Sequence, residues 1–343
     1  RCFPPWGVDP SLFASLFLSC DAGGAVLAAQ TRTRNRPPGL YNGLIVAAFL
    51  GSTINGTIPL ALGHLTGTKR AAAVRGLFLG FLVLPVGCLL TGVLCGIPLS
   101  VLLHNTWPVL AVAVVLLLLF KSGSNAIGPI FNGISLAVRG LTLFGFCISV
   151  LQETTGIVLL EGLTPLAEIY PVIGSIGAFL AGILPFFAFV QRLLTAPLAK
   201  LAARLQLEPA SITGLVVTTA NCIPTLLSLD TLEERGITLN TAYAVVAAYS
   251  VGDFLAFTLQ FSPAHALPMM AGRLLSGLLA VVLFLKTTPK NHLSKHPQLA
   301  AKARWGCWCF PIAFPVSRTH VYNARIVRRC LRKFPASLSD TRF

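Results

Sequence analysis

Apolar positions fill this chain in long unbroken runs. Gly76 to Phe120 contains no Lys, Arg, Asp or Glu, and neither does Ile169 to Gln191 or Pro209 to Leu229. Such runs approach or exceed the roughly 20 residues that carry an α-helix across a bilayer. They are continuous rather than alternating every second residue, which selects helices over a lipid-facing barrel; only these two structures satisfy the backbone in lipid. Boundaries drawn at charges, Pro and Gly give about nine spans, over 11–30, 40–64, 76–97, 100–120, 140–161, 172–191, 210–229, 241–262 and 267–285. The pattern predicts an all-α, polytopic integral membrane bundle.

Composition agrees, because 55% of residues are hydrophobic and 11% charged, against about 25% charged in soluble domains. The net charge of +15 is unevenly spread: residues 286–343 hold twelve Lys and Arg against one acid, Asp340. That split predicts a transmembrane domain over 1–285 and a basic, disordered tail over 286–343. A membrane-borne charge of this kind argues for the lipid bilayer as partner and against nucleic acid. Cys2, Cys20, Cys88, Cys95, Cys147 and Cys222 lie in or beside apolar segments, and the close pair Cys307 and Cys309 stands in the tail. No metal site, disulfide framework or cofactor is expected from that spacing. The chain opens on Arg1 with no leader pattern before its first apolar run, and reads as an internal fragment.

Loop charges test the span assignment. Lys69, Arg70 and Arg75, then Lys121 and Arg139, then Arg192, Lys200 and Arg204 make basic loops; Glu161 with Glu168, and Asp230 with Glu233 and Glu234, make acidic ones. Nine spans put the basic loops together on one side, read as cytoplasmic, and the acidic loops on the other. Thr31 to Pro38 and the tail then fall on the wrong side, unless the count is off by one hairpin. A weak echo links Gly43-Leu44-Ile45-Val46, Asn55 and Pro59 with Gly214-Leu215-Val216-Val217, Asn221 and Pro224. Two such segments running in opposite directions suit inverted repeats with broken helices.

Polar residues inside spans are the candidates for chemistry, because a carboxylate at mid-span costs about 2.5–3.5 kcal/mol on insertion scales. Asp21, beside Gly23 and Gly24, and Asp253, after Gly252 and near Tyr249, are the two such acids. Each is read as functional, with a structural ion pair to Arg273 or Arg139 as the alternative. Asn221, with Thr219 before it and Pro224 after it, offers an amide, a hydroxyl and carbonyls freed by the missing proline N–H. Asn55 and Pro59 follow the same logic with less weight. Glu153 is expected near a bend or helix end, and His64 and His265 near span ends. Two acids on separate spans also admit an intramembrane aspartyl protease, although Ser250-Val251-Gly252-Asp253 only approaches that GxGD pattern.

Several stretches, in order, carry a resemblance: DPSLFASLFLSCDAGG, LYNGLIVAAFLGSTINGTIPLALG, LPVGC, VIGSIGAFLAGILP, TTANCIPT and AYAVVAAYSVGDFLAF. From about Asp9 to Leu285 the chain resembles the EutH-type ethanolamine permeases of bacterial ethanolamine-utilisation operons. The resemblance implies a multi-pass inner-membrane importer of ethanolamine, not an enzyme, with self-association left open. It matches the family's pattern at Asp21, Gly23, Gly24, Asn221, Pro224, Gly252 and Asp253. Departures are Cys222 where the family has Asn, Phe254 where it has His, and Asn55 where it has no Asn. The family also has segments before the position of Arg1, and a different C-terminal end.

These readings give a substrate set of Asp21, Asp253, Asn221, Thr219 and Tyr249, with Gly23, Gly24, Pro59, Pro224 and Gly252 as helix breaks or gates. The acids would balance the ammonium of ethanolamine, an aromatic face at Tyr249 or Phe254 would add cation–π attraction, and Asn221 with Thr219 would address the hydroxyl. The alternatives are an ion-coupled symporter of another small polar solute, a protease and a non-functional fragment.

Overall fold

The computed structural model describes residues 37–121, 127–163 and 165–288, together with Leu12. Asp21, Gly23, Gly24, the first expected span and the tail beyond Thr288 lie outside the described residues. After a short turn at Pro37–Leu40, the elements are α1 (Tyr41–Leu62), α2 (Gly67–Leu94), α3 (Leu99–Lys121), α4 (Ile127–Thr155), α5 (Leu166–Leu205), α6 (Pro209–Ala220), α7 (Cys222–Leu227), α8 (Glu234–Ala247), α9 (Asp253–Phe261) and α10 (Ala266–Thr287). Six helices among the described residues are long and apolar enough to cross a membrane. No strand interrupts them there, and the expected all-α membrane bundle is the observed fold.

The core is α8, buried at every position from Arg235 to Ala247. Small residues let its neighbours come close, as membrane helix packing requires. A Cβ on Gly76 of α2 would sit 2.5 Å from the Thr238 carbonyl oxygen, and one on Gly80 would sit 2.6 Å from the Val245 Cβ. On α10, Gly277 meets Tyr243 and Ala247 of α8, while Gly272 meets Thr91 of α2. These pairs run α2 parallel to α8 and α10 antiparallel to both. By contrast α4 and α5 turn Leu141, Phe144, Phe186 and Phe189 outward, an apolar surface suited to lipid.

α1 begins with π-helical turns over Tyr41–Gly51 and Thr53–Thr57 and continues as α-helix from Ile58. Pro59 therefore does not break it. The residue stands in the first turn of the α-helical part, where the hydrogen-bond register changes and a missing N–H is tolerated.

Other expectations are corrected. Arg139, expected in a loop, lies within α4, which starts well before position 140 and ends at Thr155, just after Glu153. A single Arg is not a reliable helix boundary when the long stem can carry its charge to an interface. The apolar run 210–229 is not a span either. It is a re-entrant hairpin: α6 enters, the chain turns at Asn221, and α7 returns, with the Thr225 hydroxyl donating to the Gly214 carbonyl oxygen. The hairpin's two ends meet at its base, where the Glu233 N–H donates to Glu208 Oε2 at 3.2 Å.

That hairpin changes the topology. Basic and acidic loops expected on opposite sides touch: Lys69 Nζ donates to the Asp230 carbonyl oxygen, and Arg75 Nη2 lies 3.3 Å from Glu234 Oε2. The same end receives the end of α10, where the Arg235 guanidinium sits over the Phe284 ring at 5.6 Å. Nor are the segments of the sequence echo alike in three dimensions, since one is the continuous α1 and the other the hairpin α6–α7.

Candidate functional site

The described candidates converge where two chain breaks cross. At the hairpin tip, Asn221 is extended, with φ −155° and ψ 119°. Facing it, residues 248–252 interrupt the path from α8 to α9, and Tyr249 takes the left-handed conformation with φ 59°. A bulky residue rarely accepts that geometry. Here two long-range hydrogen bonds hold it, from the Tyr249 N–H to the Thr218 carbonyl and from the Val251 N–H to the Thr219 carbonyl, each 3.0 Å. Gly252 is required at the contact, because a Cβ there would lie 2.0 Å from the Ala220 carbonyl oxygen. The crossing thus satisfies broken backbone inside protein, the condition under which non-helical chain is tolerated at membrane depth.

Four helix termini meet at this point. The C-terminal ends of α6 and α8 bring partial negative charge, and the N-terminal ends of α7 and α9 bring partial positive charge. Asp253 is the first residue of α9, where the dipole favours an acid. Arg273, fully buried on α10, donates from Nη2 to the Ala248 carbonyl at 2.7 Å, just past the end of α8. Its guanidinium lies 4.6 Å from the Phe49 ring centroid and 4.5 Å from that of Phe254. Arg273 Nε and Nη1 find no hydrogen-bond partner among the described residues. The structure gives Arg273 a carbonyl and two aromatic faces, partners that the sequence reading, which held an ion pair to Arg273 only as the alternative to a functional acid, did not name.

The other candidates are engaged to different degrees. Asn221 caps α7, its Oδ1 accepting the Ile223 N–H at 2.9 Å, which leaves the amide NH2 as the donor end. Pro224 falls in the first turn of α7, not in a kink of a continuing helix, so its missing N–H frees no carbonyl. The Thr219 hydroxyl donates to the Leu215 carbonyl and pairs with the Tyr243 hydroxyl, both at 2.9 Å, so little of its capacity remains. Tyr249 packs edge-on against Phe254, with centroids 5.9 Å apart. Cys222 pairs with the Tyr249 side chain, within electrostatic reach of Asp253 and Arg273. Asn55 and Pro59 are outside this group: the Asn55 amide donates to the Gly51 carbonyl in its own helix, and Ser135 of α4 donates to the Asn55 carbonyl. A dyad between Asp253 and Asp21 involves a residue outside the described set.

Sequence reasoning missed the arginine's setting and the contribution of Phe49. The Arg itself was legible as a cation within an apolar span, but its aromatic partners lie far away in sequence. Tyr249 or Phe254 was expected to offer an aromatic face to a ligand; in the structure Arg273 lies over the Phe254 ring.

A buried crossing of a re-entrant hairpin with a broken helix, carried by long apolar helices, defines a multi-pass helical membrane protein. The family described as "Ethanolamine utilisation protein, EutH" matches residues 2–286, and the chain belongs to that family. It is 31% identical over 282 residues to a Listeria monocytogenes protein named "Probable ethanolamine permease EutH", covering 81% of this chain and 74% of the relative. It is 30% identical over 311 residues to a Salmonella typhimurium protein of the same name, covering 83% and 76%. To the Bacillus subtilis "Uncharacterized protein YxeR" it is 30% identical over 296 residues, covering 86% and 80%. No solved structure matches it.

Proposed function

We propose that the chain is a permease that carries ethanolamine, as its ammonium form, across the bacterial cytoplasmic membrane. The observation that carries this reading is Asp253 opening α9 at the crossing, where it can balance a cation at membrane depth. A primary amine of the lysine type has a pKa of roughly 10, so nearly all of it is charged at neutral pH and needs a counter-charge in a low-dielectric site. The Asn221 NH2 would donate to the hydroxyl oxygen, and Tyr249 would flank the carbon chain. Asp21 is proposed as a second acid of the same site, with Gly23 and Gly24 beside it as a break. Gly252 would act as the pivot of the crossing. Family membership and the relatives' names support the substrate.

Uptake of labelled ethanolamine at acidic pH, where the membrane-permeant neutral amine is scarce, tests this. Asp253→Asn is expected to lower uptake at least about tenfold, the effect of losing one charge-assisted contact, with membrane insertion unchanged. Normal uptake by an inserted Asp253→Asn protein would overturn the role. A second reading is an ion-coupled symporter, favoured by the conjunction of an acid with backbone carbonyls at a broken helix. Collapsing the Na⁺ or proton gradient during uptake separates it from facilitated diffusion.

A further inference from the structure

At the end of the bundle where α8 begins, Arg75, Phe78, Leu79, Glu234, Arg235 and Thr238, with Thr287 and Thr288, line a hollow of ≈ 250 Å³. Its chemistry is that of an anion site. Arg235 is 7% exposed, and one of its donors, Nη1, is used on the Gln206 carbonyl at 2.9 Å. Its Nε has no hydrogen-bond partner among the described residues. A cation this buried is costly unless an opposite charge completes it. The neighbouring Glu234 does not do so, because Arg75 holds it at 3.3 Å. That leaves one positive charge in surplus, at the N-terminus of a fourteen-residue helix whose first N–H groups have no helical partner. Thr287 and Thr288 complete the lining, the Thr287 hydroxyl donating to the Leu283 carbonyl oxygen at 2.8 Å.

We propose that this hollow binds a phosphate oxyanion, seated between Arg75 and Arg235. Two guanidinium groups and the helix N-terminus match the several oxygens of a phosphate better than a single carboxylate. Its place at the charged end of α2, α8 and α10, with the apolar Phe78 beside it, gives a phospholipid headgroup a seat for its phosphodiester and a wall for its first methylenes. A free phosphate offers the same oxygens without the chains. The site is independent of the transport reading.

The full chain, purified from bacterial membranes in mild detergent, is compared with Arg235→Gln and Arg75→Glu. Native mass spectrometry reads the retained phospholipid, and thermal melting reads the effect of millimolar inorganic phosphate. For a lipid ligand, both variants are expected to lose about tenfold of the retained phospholipid. For a free-anion ligand, phosphate stabilises the wild type and neither variant. Should Arg235→Gln fail to fold, the exposed Arg75→Glu decides. Equal lipid retention in wild type and variants, with no phosphate stabilisation, overturns the proposal.

Discussion

Arg273 and Asp253 are both ionisable and both stand in apolar sequence, where an ion pair between them was the alternative to a functional acid. The structure gives Arg273 the Ala248 carbonyl and two rings, with Nε and Nη1 left without a hydrogen-bond partner among the described residues. Such a setting combines a charge-assisted hydrogen bond with cation–π contacts worth about 0.5–2 kcal/mol. Asn221 and Gly252 were legible because a mid-span amide and a glycine before an acid break helix rules locally. Thr219 was legible as polar, but not as already bonded to Tyr243. Outside the spans, Glu208 makes a residue-scale prediction. Burial pushes its carboxyl above the ordinary value, and the Glu233 charge adds to the shift. The folded protein thus keeps that proton to higher pH than the unfolded chain. The stability it contributes is complete below the unfolded value of about 4.3 and lost as pH rises through the folded one. Glu208→Gln keeps an oxygen for the Glu233 N–H and removes the charge. Its melting temperature should exceed the wild type's at neutral pH and converge with it below about pH 4. A lower melting temperature at neutral pH would mean that the carboxylate's charge steadies the hairpin base.

At the scale of elements, the crossing depends on contact between α6's last turn and the break before α9. Gly252→Ala places a methyl 2.0 Å from the Ala220 carbonyl oxygen, a backbone atom that cannot rotate away. The expected result is loss of about 1–3 kcal/mol or more, seen as a lower melting temperature and reduced uptake. Gly133→Ala in α4 is the control, because nothing lies within 4 Å of where its methyl would stand and alanine favours a helix. Equal melting of the two variants would show that the breaks do not need each other. Hydropathy marked the segments 210–229 and 241–262 correctly as apolar. It did not separate a hairpin that returns from a helix that pauses and continues, because both bury the same kind of surface.

For the whole molecule, the hairpin reassigns sides. Lys69, Asp230 and the end of α10 share one end, whereas nine full spans would separate the first two. Counting α6–α7 as re-entrant also brings Lys286 to the end that holds Lys69, Arg70 and Arg75, in keeping with a positive cytoplasmic face. In a background without native cysteines, Lys69→Cys, Asp230→Cys and Lys286→Cys should all react with an impermeant maleimide from the same side of sealed vesicles. Reaction of Asp230→Cys from the side opposite to Lys69→Cys would restore the full-span topology.

The sequence by itself determined the class of protein, since lipid leaves few ways to satisfy a long apolar backbone, and it marked Asn221, Gly252 and Asp253 through local departures from that pattern. Only the tertiary structure decided which apolar run crosses and which returns. That choice depends on hydrogen bonds between residues distant in sequence: Tyr249 and Val251 to Thr218 and Thr219 at the crossing, and Lys69 to Asp230 at the base. Local periodicity carries no record of such partners.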